Sequence, residues 1–154
     1  MTEQHTFTFR LVTPQRLLLE ASAEYINVPG TEGYLGVLAN HAPLITALKP
    51  GRVEVRDAAG TTSIYAVSGG FLEVSRNRAT VLADTAEAAG EIDRERAQAS
   101  LKRAEERLRG GGDSAGLGGA RGGRGGAAVA EAVDRDRATR SLDRAKNRLT
   151  VAGA

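Results

Sequence analysis

The chain has 154 residues and a formal net charge of +2, which suits one domain or two small ones. It holds no cysteine, which excludes disulfides and cysteine-based zinc sites and fits a reducing compartment; aromatic residues are 4%, so any core is built mostly from Val, Leu, Ile and Ala. No apolar run approaches the roughly 18 residues of a membrane span, and the opening MTEQHTFTF lacks the basic and apolar regions of a signal peptide, so the expectation is a soluble intracellular protein.

Residues 1–86 read in twos. Phe7, Phe9 and Leu11 alternate with Thr6, Thr8 and Arg10, and Val53 and Val55 alternate with Arg52, Glu54 and Arg56. The runs TSIYAV, FLEV and ATVLAD continue in the same manner. Alternation marks half-buried strands. Turn signals fall at Pro29-Gly30, Pro50-Gly51, Ala59-Gly60, Gly69-Gly70 and Arg76-Asn77. Many short strands with frequent turns predict an antiparallel β-sandwich or barrel.

Residues 87–154 read in threes and fours. Ala97, Leu101, Ala104 and Leu108 are spaced 4, 3, 4, and so are Ala138, Leu142, Ala145 and Leu149. Each set is a narrow apolar seam on one helix face. Two such seams bury each other in an antiparallel hairpin, with alanines permitting close approach. The seam is short, so the hairpin is expected to be weak enough for a ligand or partner to choose between folded-back and open states. Between the helices, residues 110–126 carry ten Gly in seventeen, a flexible linker that holds neither core nor helix. The front part carries 7 basic and 8 acidic side chains and the back part 14 and 11, a mild basic bias that fits an acidic partner, a phosphate or plain solvated surface.

Catalytic motifs are absent from the sequence. The two histidines, His5 and His41, have no acidic or cysteine cluster at metal-ligand spacing, so no metal site is expected. No G-x-S-x-G, H-E-x-x-H or Walker loop occurs, and Gly30, Gly33 and Gly36 do not make the dinucleotide fingerprint. Nothing assembles into a nucleophile, base and oxyanion site, so the chain is not expected to be an enzyme by itself. The two linker arginines resemble the RGG segments of RNA-binding proteins, which leaves a basic nucleic-acid-binding protein as the alternative function.

The segment VPGTEGYLGVLANHAPLITALKPG, residues 28–51, resembles the signature of the epsilon subunit of bacterial F-type ATP synthase. SGGFLEV at 68–74, TVLADTAE at 80–87 and the ending RAKNRLTVA resemble the same family, so the likeness covers all but the linker. It implies a β-sandwich docking domain, residues 1–86, and a helical-hairpin regulatory domain, residues 87–154. It also implies a non-catalytic rotor subunit of the central stalk, bound to the gamma subunit and the c-ring at the cytoplasmic face of the bacterial membrane. Contact with the membrane is then only through the complex, and no nucleic acid is involved. When extended, the hairpin meets acidic segments of the catalytic alpha and beta subunits and restrains ATP hydrolysis.

The resemblance also implies site residues. Tyr34, His41 and Ala42 match positions that face the c-ring, with Tyr34 replacing a glutamate often found there. Gly30, Gly33, Gly36 and Pro43 are expected to shape this segment as a surface loop carrying Glu32, Tyr34 and His41 at an edge. Ile92, Asp93, Arg96 and Ala97, with Glu87 upstream, match an element that binds ATP in some members, and Arg144 and Arg148 match the pair that meets the phosphates. Four residues apart, these arginines share a helix face and can hold phosphate oxygens in bidentate fashion. Glu87 and Asp93 would accept from the adenine amine or the ribose. ATP is then a regulator that keeps the hairpin closed; no cofactor is required. Asp93 equally suits a helix cap, and Arg137, Arg140, Arg144 and Arg148 equally suit a stripe facing acidic partners. The long linker departs from the family, whose hairpins turn in fewer residues.

Overall fold

The computed structural model describes residues 5–110 and 124–153. Eight strands come first: β1 (Phe7–Val12), β2 (Leu17–Ala23), β3 (Tyr25–Gly30), β4 (Gly33–Leu38), β5 (Leu44–Arg56), β6 (Thr62–Ser75), β7 (Arg78–Ala83) and β8 (Ala86–Ala88). A 3-10 turn at Ala89–Glu91 leads into helices α1 (Arg94–Gly110) and α2 (Arg124–Ala152). The strand order is β2-β1-β7-β6-β5-β3-β4, with β8 pairing β6. Every pairing is antiparallel except β1 with β7, so the sheet is mixed rather than purely antiparallel.

The sheet folds over on itself. Phe9 and Leu11 of β1 share one buried cluster with Ile26 and Val28 of β3 and Val37 of β4, although several strands separate them in the order. The crease is legible in the two long strands. In β5 the core side chain is Leu48 before the crease and Val53 and Val55 after it, a change of parity. In β6, Val67 faces the core before the crease and Leu72 and Val74 after it. Since strand side chains alternate, the flip means that both strands pass from one layer of a sandwich to the other. Gly69 and Gly70 take φ +113° and +130° there, conformations that side chains resist.

Several sequence expectations are thereby corrected. Pro50-Gly51 and Gly69-Gly70 are not turns between strands but lie inside β5 and β6. Residues 28–51 are not one surface loop: they include the β3–β4 hairpin, which turns at residues 31–32, and the start of β5. True turns follow Ala59-Gly60 and Arg76-Asn77; in the latter both residues adopt positive φ, 50° and 55°, as a tight hairpin demands. The last strand reaches Ala88, past the expected division at 86.

Asp93 starts α1: its Oδ1 accepts from the Arg96 backbone N–H at 3.0 Å, satisfying an otherwise orphaned donor. The helices are antiparallel, since the Arg94 guanidinium at the start of α1 donates to the Ala152 carbonyl at the end of α2, 2.7 Å away. Within the seam the alanines are the fully covered members. Ala97, Ala104, Ala138 and Ala145 are buried, while Leu101, Leu108, Leu142 and Leu149 are half-buried at the sides. Small residues at the centre let the backbones approach, and the leucines close over the flanks. The expected linker range, 110–126, overlaps helix at both ends, because Gly110 ends α1 and Arg124 begins α2. Residues 111–123 lie outside the described residues.

The hairpin lies on the sandwich. Val151 is fully buried with Ala66 and Ile92, beside Ile64, Ala89 and Ala152. This is a second apolar cluster, separate from the sandwich core. Among the described residues no helix is long and apolar enough to cross a membrane.

Candidate functional site

Four elements converge beside this second cluster. Glu87 lies on β8, held by its pairing opposite Ala66 of β6. The 3-10 turn then brings Glu91 round, and Ile92 plugs into the apolar cluster. That anchor fixes the first turn of α1 with Asp93, Arg96 and Ala97. From the other side α2 supplies Arg144 and Arg148.

Arg148 and Glu87 form a two-pronged ion pair. Nε lies 2.7 Å from Oε2, and the second guanidinium nitrogen donates to Oε1 at 2.8 Å. Paired planar geometry of this kind is the stronger form of a charged hydrogen bond, although both side chains remain about one-third exposed (33% and 39%). The pair forms a wall between two clefts. One, with a volume of about 130 Å³, is lined by Glu87, Glu91, Asp93, Arg96 and Arg148 around Ile92 and Ala97. The other, a shallow dimple of about 10 Å³, is lined by Ser68, Thr85, Glu87, Arg144 and Arg148 over Ala66 and Val67.

The structure thus brings all seven expected regulatory residues to adjoining clefts. Three guanidinium and three carboxylate groups meet there, and the side chains of Arg96 and Arg144 make no hydrogen bond or ion pair among the described residues. Such a site can hold an anion with its cations and accept from amine or hydroxyl donors with its carboxylates. Asp93 also performs the capping role that its sequence position suited, which commits one carboxylate oxygen to the helix backbone.

The second expected set does not converge. Tyr34 stands at the start of β4 and is 56% exposed, its hydroxyl 3.4 Å from the Arg52 backbone N–H that donates to it. His41 and Ala42 follow the other end of the strand. With about 3.3 Å per residue, the two lie at opposite ends of the β4 edge. His41 is half-buried, its Nδ1 2.8 Å from the Ala42 carbonyl. Asn77 steadies this loop: its Oδ1 accepts from the Asn40 N–H at 2.8 Å while its Nδ2 donates to the Thr6 carbonyl at 2.9 Å. Leu38, 57% exposed, lies between Tyr34 and His41 on this edge.

The outer face of the other layer carries a row of apolar side chains. Register aligns Leu17 with Val12, Val12 with Leu82, Leu82 with Phe71, and Phe71 with Ala47, across five neighbouring strands. Leu17, Leu82 and Phe71 are 46%, 49% and 56% exposed, and Ile45, two residues along β5, is 75% exposed. A row of this extent on the surface marks an interaction face.

Comparison with known proteins decides the family. The family described as "ATP synthase, Delta/Epsilon chain, beta-sandwich domain" matches residues 6–89. The ATP synthase epsilon chain of Pelotomaculum thermopropionicum is 50% identical over 103 residues, 67% of this chain and 76% of that one. That of Anaeromyxobacter sp. strain Fw109-5 is 46% identical over 101 residues, 66% of this chain and 76% of that one. The chain belongs to the ATP synthase epsilon chain family. The fold of this epsilon-family chain is also similar to a chain in the Euglena gracilis mitochondrial ATP synthase assembly of OSCP, F1 and c-ring. There the TM-score is 0.72 at 22% identity, covering 93% of this chain and 79% of that one. A chain of the Tetrahymena thermophila central stalk and c-ring gives a TM-score of 0.53 at 17% identity, over 94% of this chain and 98% of that one.

Sequence reasoning missed three features of this epsilon-family chain. Val151 and Asn147 anchor α2 to the sheet, on a helix face distinct from the seam. A signal was present, because Asn is a poor helix former and an Asn inside RAKNRLTVA asks for a reason. The apolar row was hidden because its members alternate with core residues and read only as strand. Leu38 was passed over within the signature segment. Of the RGG-like arginines of the alternative reading, Arg121 lies outside the described residues and Arg124 is the first residue of α2.

Proposed function

We propose that this epsilon-family chain is a non-catalytic central-stalk subunit of a bacterial proton-translocating ATP synthase, whose helical hairpin is a regulatory clasp. The observation that carries the rotor reading is the uncovered apolar row Leu17–Val12–Leu82–Phe71–Ala47 on a sandwich of this family. A row of that length needs an apolar partner, and the gamma subunit is the partner assigned to it here. The exposed β4 edge, with Tyr34, Leu38, His41 and Ala42, is assigned to the c-ring, so that contact runs along the strand rather than through one loop. The chain then sits peripherally at the cytoplasmic face of the membrane, held there by the complex.

The clefts between sandwich and hairpin support regulation by ATP. Arg144, without a partner of its own among the described residues, is the first guanidinium available to a phosphate. Arg148 adds a second when the phosphates compete with Glu87 for its fork. Glu87, once released, and the free oxygen of Asp93 accept from the adenine amine or the ribose hydroxyls, with Arg96 flanking and Ile92 and Ala97 forming the apolar floor. A ligand touching α1, α2 and β8 together stabilises the hairpin in its folded-back position. Without it, in the assembled complex, acidic segments of the catalytic alpha and beta subunits compete for the basic α2 stripe and draw the hairpin into its extended position.

Binding assays of the full chain with gamma and with membrane-embedded c-rings test the docking assignments. Phe71→Glu is expected to abolish gamma binding, while His41→Ala keeps gamma and weakens c-ring docking several-fold. Unaltered gamma binding by Phe71→Glu would remove the apolar row from the interface, and unchanged c-ring assembly with His41→Ala would do the same for the loop.

A further inference from the structure

Asn147 faces the sheet from α2, and its amide reaches two strands at once. Nδ2 donates to the Gly51 carbonyl of β5 at 2.9 Å and to the Val67 carbonyl of β6 at 3.1 Å. Gly51 and Val67 are directly opposed in the β5–β6 register, so one side chain spans the strand pair. Both acceptors are carbonyl oxygens, which fixes the orientation of the amide: only its nitrogen can satisfy them, and its two hydrogens suffice for both.

The geometry points to Asn147 as the positioning residue that sets the rotation of α2 on the sandwich and thereby holds Arg144 and Arg148 over the clefts. Four contacts hold this end of α2, and one of them, the Arg148–Glu87 pair, is partly exposed and forms only when the other three bring Arg148 into place. Val151 buries an apolar side chain, which fixes how deeply the helix sits but tolerates sliding, because apolar contact has no direction. The Arg94 bond to Ala152 comes from the other helix and moves with the hairpin. The two Asn147 bonds are directional, and their acceptors belong to the sheet. Each residue turns a helix by about 100°, so a small rotation that broke these bonds would carry Arg148 off Glu87. Asn147 directly precedes Arg148 and follows Arg144 by three residues, so its fixed bearing is transmitted to both arginines. The position of the arginines is a property of the chain alone; its consequence for nucleotide rests on the ATP reading above.

The absence of native cysteine allows site-specific spin labels. Labels at Lys146→Cys on α2 and Ala58→Cys in the exposed β5–β6 turn report the helix-to-sheet distance in the full chain by pulsed dipolar spectroscopy. Asn147→Asp keeps the shape, removes both donors and sets a carboxylate against two carbonyls. We expect one distance in the parent chain and a second, longer one in the variant, with the docked-to-undocked ratio lowered about tenfold or more by loss of two hydrogen bonds. Asn147→Ala should shift the ratio in the same direction, and the sandwich should melt as in the parent. The apparent ATP Kd should rise by the inverse of the docked fraction, a relation that general destabilisation would not produce. A single unchanged distance in both variants overturns the assignment, and so does an ATP affinity that ignores the docked fraction. If the parent chain takes up no ATP, the nucleotide reading falls, while the distances still decide whether Asn147 holds the helix.

Discussion

Gly70 shows how much one hydrogen atom in place of a side chain carries. Its φ is +130°, and a Cβ there would run into the Leu82 carbonyl of the neighbouring strand β7. Gly70→Ala is expected to destabilise the sandwich by about 2–4 kcal/mol, combining backbone strain with overpacking, read as a lowered urea midpoint. Asn77 works by the opposite means, adding bonds at a positive φ. Asn77→Ala is expected to cost about 1–2 kcal/mol and to speed exchange of the Asn40 amide, its hydrogen-bond partner. At this scale the sequence was legible in kind but not in use. A Gly-Gly pair announces freedom of φ, and here that freedom creases a strand instead of ending it, because the neighbour that forbids a Cβ belongs to β7. The capping role of Asp93 was legible because a cap acts within three residues, whereas the grip of Asn77 on residues 40 and 6 spans the chain and leaves no local mark.

The elements divide by the range of the forces that define them. Period-two alternation located β1, β7 and parts of β5 and β6 but not β2, β3, β4 or β8, and the 4, 3, 4 spacing located both helices, since each pattern is local. The joins were not legible: FLEV and TSIYAV are one strand, β6, and so are LITALKP and GRVEVR in β5. Only the partner strand decides whether pairing continues through a glycine. The helical seam appeared in the sequence as equal Ala and Leu, but in the structure the alanines fill the contact and the leucines flank it. Ala145→Leu, which forces a large side chain into the closest approach, is therefore expected to weaken the hairpin by about 1–3 kcal/mol. Hydrogen exchange should rise along α1 and α2 while the β6 amides stay protected; equal exposure throughout would mean that hairpin and sandwich form one cooperative unit.

In the whole molecule, a sandwich with two uncovered surfaces carries a hairpin held by modest contacts. One apolar cluster, one amide spanning two strands and one partly exposed ion pair hold α2 down. An exposed pair contributes on the order of 1 kcal/mol or less, so the hold is loose enough for a ligand in the clefts to shift it. The seven cleft residues were legible through resemblance to the epsilon family, while their convergence depended on β8, the 3-10 turn and α2 meeting in space. The central claim is that these residues form an ATP-responsive clasp. Calorimetric titration of the full chain with ATP and magnesium, beside the Arg144→Ala, Arg148→Ala double variant, tests it most directly. The account predicts saturable one-to-one binding that the double variant loses; absence of heat in the parent chain, or equal binding by the variant, would contradict it.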